Sequence, residues 1–267
     1  MLERDLVSDN IHGLGKVHSG AIGEAKEMKD GWPHSLPPIL KDFPENSVAV
    51  VVCLRDNLKF FKLAFHSIIS FTSHPYLFIV VDNMSSFTTK NYLKRLQKNH
   101  AIHVIPFSQE FNFAAQLNFG FNYAFTFPQI KYGVAIHSDT VVEPNWLNKL
   151  LVRFTVDAGL GVVLPEKGHH FTMFRQKTFT DLRGFDDKFR GHTYVIQDFC
   201  RRAENANWKL LLDDNTNIHH FFQTQMREGL VTTNHLEEDR RIFCSKYPEL
   251  VEAKLAPPSL EPQGERV

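Results

Sequence analysis

The sequence predicts an α/β fold, a mostly parallel central sheet packed between two layers of helices. Two observations carry that expectation. Apolar runs of strand length alternate with amphipathic segments of helix length from residue 48 to residue 151, the pattern that right-handed βαβ crossovers leave in a chain. The strands, VAVVVCL and FIVV among them, are continuously apolar, as strands buried on both faces must be. A third observation says where the chemistry sits. Apolar runs end abruptly in polar residues, Asp82 after FIVV and His137-Ser138-Asp139 after YGVAI, and open α/β sheets bind ligands at the carboxyl ends of their strands.

The elements follow in order. Residues 1–46 are polar and broken by Gly13, Gly15, Gly20, Gly23, Gly31 and a Pro-rich stretch from Pro33 to Pro44, so they read as an extension with little regular structure. VAVVVCL (48–54) is a strand, and LKFFKLAFHSIISF (58–71) is a helix because its apolar residues recur at helical spacing. YLFIVVD (76–82) is a strand, TTKNYLKRLQKN (88–99) a helix, IHVIPF (102–107) a strand and AAQLNFGFNYAF (114–125) a helix. YGVAIH (132–137) is the fourth strand, after which Pro144 opens a helix over 145–151. Beyond residue 160 the alternation loosens into GVVLP (161–165), FTMFR (171–175), a turn at Arg183-Gly184-Phe185, a helix near 198–206 and WKLLL (208–212). HLEEDRRIFCSKY (235–247) is the last helix, and residues 251–267 are expected to be a disordered tail. The domain is therefore expected over 47–250.

Composition narrows the function classes. A chain of 267 residues, 43% hydrophobic, can bury one substantial core. Lys+Arg and Asp+Glu are both 30, so no global field attracts nucleic acid or anionic lipid. Three cysteines, Cys53, Cys200 and Cys244, are too few and odd in number for a disulfide framework, and read as buried thiols in a reducing, cytoplasmic setting. No run approaches the roughly 18 apolar residues of a bilayer span, and the first residues lack the apolar core of a signal peptide. The expectation is a soluble chain with no transmembrane segment. The 24 phenylalanines fall mostly on apolar faces, which suits packing and not stacking on bases.

His137 and Asp139 are two metal-ligand types at the end of one buried strand. A cation held there stabilises a departing diphosphate. The plainer alternative is that Asp139 caps its turn and His137 hydrogen-bonds locally.

Taken together, the motifs over residues 47–225 resemble the family 2 glycosyltransferases, which have the GT-A fold, a Rossmann-like α/β/α sandwich. VVVCLRDN resembles that family's first strand and turn, with Cys53, Leu54, Arg55 and Asp56 in place of Pro-Thr-Tyr-Asn, which puts Arg55 and Asp56 beside the donor. FIVVDNMSS (78–86) is similar to VIVVDNGS, which implies that Asp82 contacts the nucleotide base; a carboxylate can accept a ring N–H. The alternative for Asp82 is a turn cap. EFNFAAQLNFG (110–120) resembles the segment that opens a helix beside the diphosphate or sugar, bringing in Asn112 and Asn118; either is equally suited to capping, and Asn118 is better suited to supporting the fold than to touching ligand. HSDT (137–140) occupies the place of Asp-x-Asp. Asp139 keeps the second acid and inherits the metal, His137 replaces the first, and Ser138 lies between them on the donor side. FTMFRQKTFTDLRGFDDKF (171–189) is similar to the stretch between donor and acceptor, which implies Gly184, Phe185 and Asp186 as pocket walls.

VIQDFCRRAENANW (195–208) resembles Glu-Asp-x-Asp-Leu-Cys-x-Arg followed by Gly-Trp. That register puts Asp198 on the second Asp and Val195 and Ile196 on the Glu-Asp pair, where the general base belongs. A local shift makes Asp198 the candidate base, with Asp186 and Asp187 in reserve. NIHHFF (217–222) stands where many relatives complete the metal site with a His, and the family position favours His219 over His220. The resemblance thus implies inverting transfer of a sugar from a UDP-, dTDP- or GDP-sugar to a glycan or other hydroxyl acceptor, assisted by Mn²⁺ or Mg²⁺. The Val195-Ile196 replacement supports the alternative of a GT-A domain that binds a nucleotide sugar or a protein partner without turnover. A sugar nucleotidyltransferase ranks last, since CLRDNLKF lacks a Gly-rich phosphate loop.

Overall fold

The strands that run apolar from end to end form one sheet. In this computed structural model, which describes residues 43–99, 102–165, 169–213, 218–221 and 234–249, they are β1 (Ser47–Leu54), β2 (Tyr76–Asp82), β3 (Ile102–Pro106), β4 (Ile130–Ile136), β6 (Leu160–Leu164), β7 (Phe171–Arg175) and β8 (Lys209–Leu212), in the order β3-β2-β1-β4-β7-β6-β8. The pairings β1·β2, β1·β4, β2·β3 and β6·β8 are parallel. Only β7 runs against its neighbours, β4 and β6. A connection as short as the one from β6 to β7 cannot cross over the sheet and must reverse direction. β5 (Thr140–Val142) and β9 (Ile218–His220) form a separate antiparallel ribbon.

Helices cover both faces. α1 (Leu58–Phe71), α2 (Phe87–Asn99) and α4 (Trp146–Val156) pack on one side, where Phe61, Phe65, Leu93, Trp146 and Phe154 meet Val48, Val50 and Val52 of β1. α3 (Phe113–Ala124), α5 (Gln176–Asp181) and α6 (His192–Asn205) cover the other, with Phe121, Phe179 and Phe199 over Ala49 and Val51. The odd and even residues of β1 thus supply opposite cores, as the two-residue period of a strand requires. Gly133 of β4 is a packing glycine: a Cβ there would lie 2.7 Å from the Phe121 ring and 2.8 Å from that of Phe174.

β1, β2, β3 and β4 share a carboxyl edge, with Leu54 paired to Asp82 and Asp82 to Pro106. The chain runs outward from β1 to β2 and β3, then returns to place β4 on the other flank of β1. The β1/β4 boundary is therefore the switch point where a ligand crevice opens in folds of this kind.

Several elements differ from the sequence reading. α6 begins at His192, six residues before the expected start. Asp239 of α7 (Asn234–Lys246) accepts the backbone N–H groups of Arg190 at 2.9 Å and Gly191 at 2.6 Å, and so fixes the chain entering α6. α4 continues to Val156, and α5, β5 and β9 were not expected. Phe43, the first described residue of the extension, is buried and meets Phe127 edge-on at 5.4 Å. Residues 1–42 and the tail at 251–267 lie outside the described residues. Cys53, Cys200 and Cys244 are free thiols; burial pushes Cys53 far above its ordinary pKa and Cys200 up to about 12. Among the described residues, no helix is long and apolar enough to cross a membrane.

Candidate active site

The site is built where β4 stops. His137 donates its backbone N–H to the His170 carbonyl at 3.0 Å, and Thr140 donates to the His137 carbonyl at 3.2 Å, so the chain turns sharply into β5. β9 then pairs Thr140 with His220 and Val141 with His219, and Phe221 donates to the Asp139 carbonyl at 3.0 Å. Successive strand residues face opposite ways, so the two histidines part company. His220 Nε2 lies 3.0 Å from Asp139 Oδ1 and 3.4 Å from His137 Nδ1. His219 Nε2 lies 2.8 Å from Glu143 Oε1 instead. One ligand atom from each of His137, Asp139 and His220 falls within 4.8 Å of the others. The preference for His219 is corrected accordingly: His220 is the histidine delivered to Asp139.

Two further histidines close around this group, and neither had been assigned a role from sequence. The His170 ring stacks on His220 at 5.3 Å between centroids and 14° between planes. His192, the first residue of α6, sits 4.7 Å from the His137 ring and 4.1 Å from Phe113. Burial, helped by the neighbouring imidazoles of His192 and His220 and opposed by Asp139, holds His137 well below its usual pKa. Burial likewise takes His192 from the usual 6.5 to about 4, again against the pull of Asp139. At neutral pH both rings are uncharged and keep a nitrogen lone pair. Asp139 and Ser138 are buried, and Nε2 of His137 is buried with no hydrogen-bond partner among the described residues. Two imidazole nitrogens, from His137 and His220, and one carboxylate oxygen, from Asp139, form a donor set that suits a divalent transition ion.

The donor-side residues are more occupied than their positions suggest. Asp82 is buried at the tip of β2 and accepts the Ser85 N–H through Oδ1 at 3.2 Å, so the turn-capping alternative is realised. Arg55 precedes two residues, Asp56 and Asn57, held in the left-handed region. Asp56 Oδ1 accepts Ser86 N–H and Thr89 Oγ1, each at 2.9 Å, tying the β1–α1 loop to the start of α2. Burial alone would raise the Asp56 pKa, but those hydrogen bonds, with Arg55 nearby, take it below the usual value.

Asn112 caps α3: its Oδ1 accepts the Ala115 N–H at 2.9 Å and its Nδ2 donates to the Asp187 carbonyl at 2.7 Å. The Phe113 N–H goes to the Arg190 carbonyl at 2.9 Å, so two of the N–H groups expected to face an anion are already used. Asn118 grips both backbone groups of Phe185, each at 2.8 Å. Gly184 has φ +79°, and a Cβ there would lie 2.6 Å from Asn118 Oδ1, which is why the turn needs glycine. Asn112, Asn118 and Gly184 together anchor the 184–191 loop to α3.

Asp198 does not have the surroundings of a base. It is fully buried, its Oδ2 takes Arg202 Nε at 2.7 Å, and its Oδ1 takes Lys246 Nζ at 2.6 Å and the Tyr247 hydroxyl at 2.8 Å. Arg202 also donates to the carbonyls of Leu182 and Gly184 at 2.7 and 2.9 Å. Val195 and Ile196, at the positions the resemblance gives to Glu-Asp, are buried in the core. The Asp198 assignment is therefore corrected to a structural anchor joining α6, α7 and the Gly184 turn. Asp186 holds Lys246 at 2.8 Å, while Asp187 is exposed.

The glycosyl transferase family 2 model matches residues 47–227. A search of curated proteins gives no match. Among solved structures, the chain is similar to a mannosyltransferase from Pyrobaculum calidifontis in complex with GDP-Man and Mn²⁺, at TM-score 0.53 and 16% identity over 79% of this chain and 67% of that one. It is similar to S. aureus TarS at TM-score 0.55 and 12% identity, covering 75% of this chain but only 39% of TarS. The catalytic domain of Drosophila beta1,4galactosyltransferase 7, in complex with xylobiose, matches at TM-score 0.51 and 16% identity over 73% and 79% of the two chains.

Two outcomes follow from this geometry. Asp198→Ala removes the acceptor shared by Arg202, Lys246 and Tyr247. It should cost about 3 kcal/mol in urea unfolding, the lower end of the range for a broken buried pair because both cations are partly exposed; an unchanged midpoint would show that the network carries no weight. The second concerns pH. The folded-state pKa of His192 lies below its unfolded value, so between those values the unfolded chain binds more protons. Metal-free protein should therefore lose stability as pH falls from 6.5 towards about 4. His192→Phe should flatten that fall in a melting-temperature series, whereas an identical slope would remove His192 as its source.

Proposed function

Because the chain belongs to glycosyl transferase family 2, we propose that it transfers a sugar from a nucleoside-diphosphate donor to a hydroxyl acceptor, with inversion and with the help of a divalent cation. The convergence of His137, Asp139 and His220 just past the tip of β4, beside the β1/β4 switch point, carries this reading. Complexes of similar folds with GDP-Man and Mn²⁺ and with UDP-GlcNAc support a UDP- or GDP-sugar as donor and Mn²⁺ as an ion of the right kind.

Each residue then has a physical task. His137, Asp139 and His220 hold the cation, which when bound neutralises charge on the departing diphosphate. Asp82 keeps its turn closed through Oδ1, and a carboxylate has lone pairs left to accept a ring N–H of the base. Ser138, buried between His137 and Asp139, is assigned to the donor side with them. The Gly184 turn, clamped by Asn118 and Arg202, forms a rigid wall against which the sugar is aligned, and alignment of this kind accounts for much of the barrier in a displacement.

The acceptor hydroxyl must lose a proton as it attacks from the face opposite the diphosphate. Asp187 is assigned that proton. It is the exposed carboxylate of the 184–191 loop, and its backbone is fixed by Asn112 at the start of α3, where Phe113 packs 5.8 Å from the His137 ring. Asp186 is less suited, because Lys246 at 2.8 Å lowers its basicity. The burial of Val195 and Ile196 favours the second reading, a domain that binds the donor without turnover.

Thermal shift with a panel of nucleotide sugars, each with and without Mn²⁺, tests donor binding, and release of nucleoside diphosphate tests turnover. His220→Ala should abolish Mn²⁺-dependent donor binding while His219→Ala retains it. Equal losses in the two variants would mean that the ribbon register does not govern the site. Asp187→Asn should keep donor affinity and lower turnover by roughly 10²–10⁴, the range for a missing general base; undiminished turnover would move the role elsewhere, and no turnover by the wild type on any acceptor would favour the binding domain.

A further inference from the structure

We propose that the His137, Asp139 and His220 centre discriminates in favour of first-row transition ions of the Mn²⁺, Co²⁺ and Zn²⁺ kind and against Mg²⁺. The inference rests on the metal-holding role proposed above and goes further, to which ions the chain's own ligands accept. Two of the three donors are imidazole nitrogens and one is a carboxylate oxygen. Imidazole suits transition ions, whereas Mg²⁺ prefers carboxylates, phosphates and retained water in near-ideal octahedral geometry. His137 stands where the resembling motif would place a second carboxylate, so the centre carries one formal negative charge in place of two. A hard cation bound mainly by charge loses most from that exchange.

The surroundings strengthen the bias. Asp139 and Ser138 are 6% and 4% exposed, which leaves little room for the water shell that Mg²⁺ gives up reluctantly. The His170 ring stacks on His220 at 5.3 Å, and the His192 ring sits 4.7 Å from His137, so ligand rings are held in place by packing. The His137 nitrogen turned toward the group is Nδ1, 3.4 Å from His220 Nε2, which itself lies 3.0 Å from Asp139 Oδ1, so donor atoms of all three residues already face one another.

The test uses the full chain stripped of metal with EDTA. Co²⁺ is added at neutral pH and followed by its visible absorption, with Mg²⁺, Mn²⁺ and Zn²⁺ as competitors. Co²⁺ and Zn²⁺ should bind about 100-fold or more tightly than Mg²⁺, and the Co²⁺ bands should report nitrogen ligation. His137→Asp, which restores two carboxylates, should narrow that ratio by about tenfold or more, with circular dichroism confirming that the variant is folded. Affinity for Mg²⁺ within a few-fold of that for Co²⁺ in the wild type overturns the inference without recourse to any variant. Donor binding supported equally by Mg²⁺ and Mn²⁺ would sink the selectivity and leave the transferase reading standing. Failure of all four ions to bind would remove the metal from both.

Discussion

Burial of the sheet on both faces is the constraint from which the site follows. The inner residues of β1, β2 and β4 are apolar and inaccessible, because any polar side chain there would meet a helix layer and not water. Polar chemistry can therefore begin only where a strand leaves the sheet. Asp82 is the last residue of β2, and His137, Ser138 and Asp139 follow the last residue of β4. The parallel direction of β1, β2, β3 and β4 then gathers those ends on one edge. The switch point at the β1/β4 boundary is thus a consequence of strand direction and connection order, before any individual residue is considered.

How much of this could be read from sequence depended on how local the determining physics is. α1, β2 and β7 have the boundaries that periodicity predicted, since helical spacing over 58–71 and uninterrupted apolar runs are local signals. The start of α6 was missed because the groups that fix it come from Asp239, 48 residues along the chain in the case of Gly191. His219 and His220 could not be separated because a pair of neighbouring histidines carries no sign of which faces inward. That is decided by the register of β9 on β5, a pairing of two three-residue strands with no periodicity to detect. His192 went unnoticed for a related reason: with the helix read as starting near 198, it lay in a presumed loop. The Asp82 and Asn112 readings had left capping open, and capping is what their hydrogen bonds display, whereas Asn118 holds the Phe185 backbone and so supports the fold.

The Asp198 network explains why a position that looks catalytic can be structural. A fully buried carboxylate is tolerable only if charge and hydrogen bonds replace the water it has lost. Arg202 one turn along α6, with Lys246 and Tyr247 from the far end of the chain, do that here. Because Arg202 also holds the carbonyls of Leu182 and Gly184, one buried group sets the relation between α6, α7 and the Gly184 turn. The motif match was to the supporting residues of the helix, Asp198 and Arg202. The reacting pair it should accompany is replaced by Val195 and Ile196, whose side chains complete the core beneath.

Three carboxylates that the resembling motifs would supply, one in the Asp-x-Asp segment and two in the Glu-Asp pair, are here a histidine, a valine and an isoleucine. Val195 and Ile196 lie in the core, whereas His137 removes one negative charge beside Asp139, so purely electrostatic attraction for a cation at the end of β4 falls. A site altered in that direction must hold its ion through ligand type and geometry, not accumulated charge. The rings of His170 and His192 against the ligand histidines, and the burial of Asp139, supply that geometry. Burial of His137, helped by the imidazoles of His192 and His220, opposes its protonation against the pull of Asp139, so the ring that replaces a carboxylate keeps a lone pair across neutral pH. At the end of β4 a histidine in place of an acid, gathered with His220, His170 and His192 around Asp139, thus leaves one carboxylate lined by imidazoles.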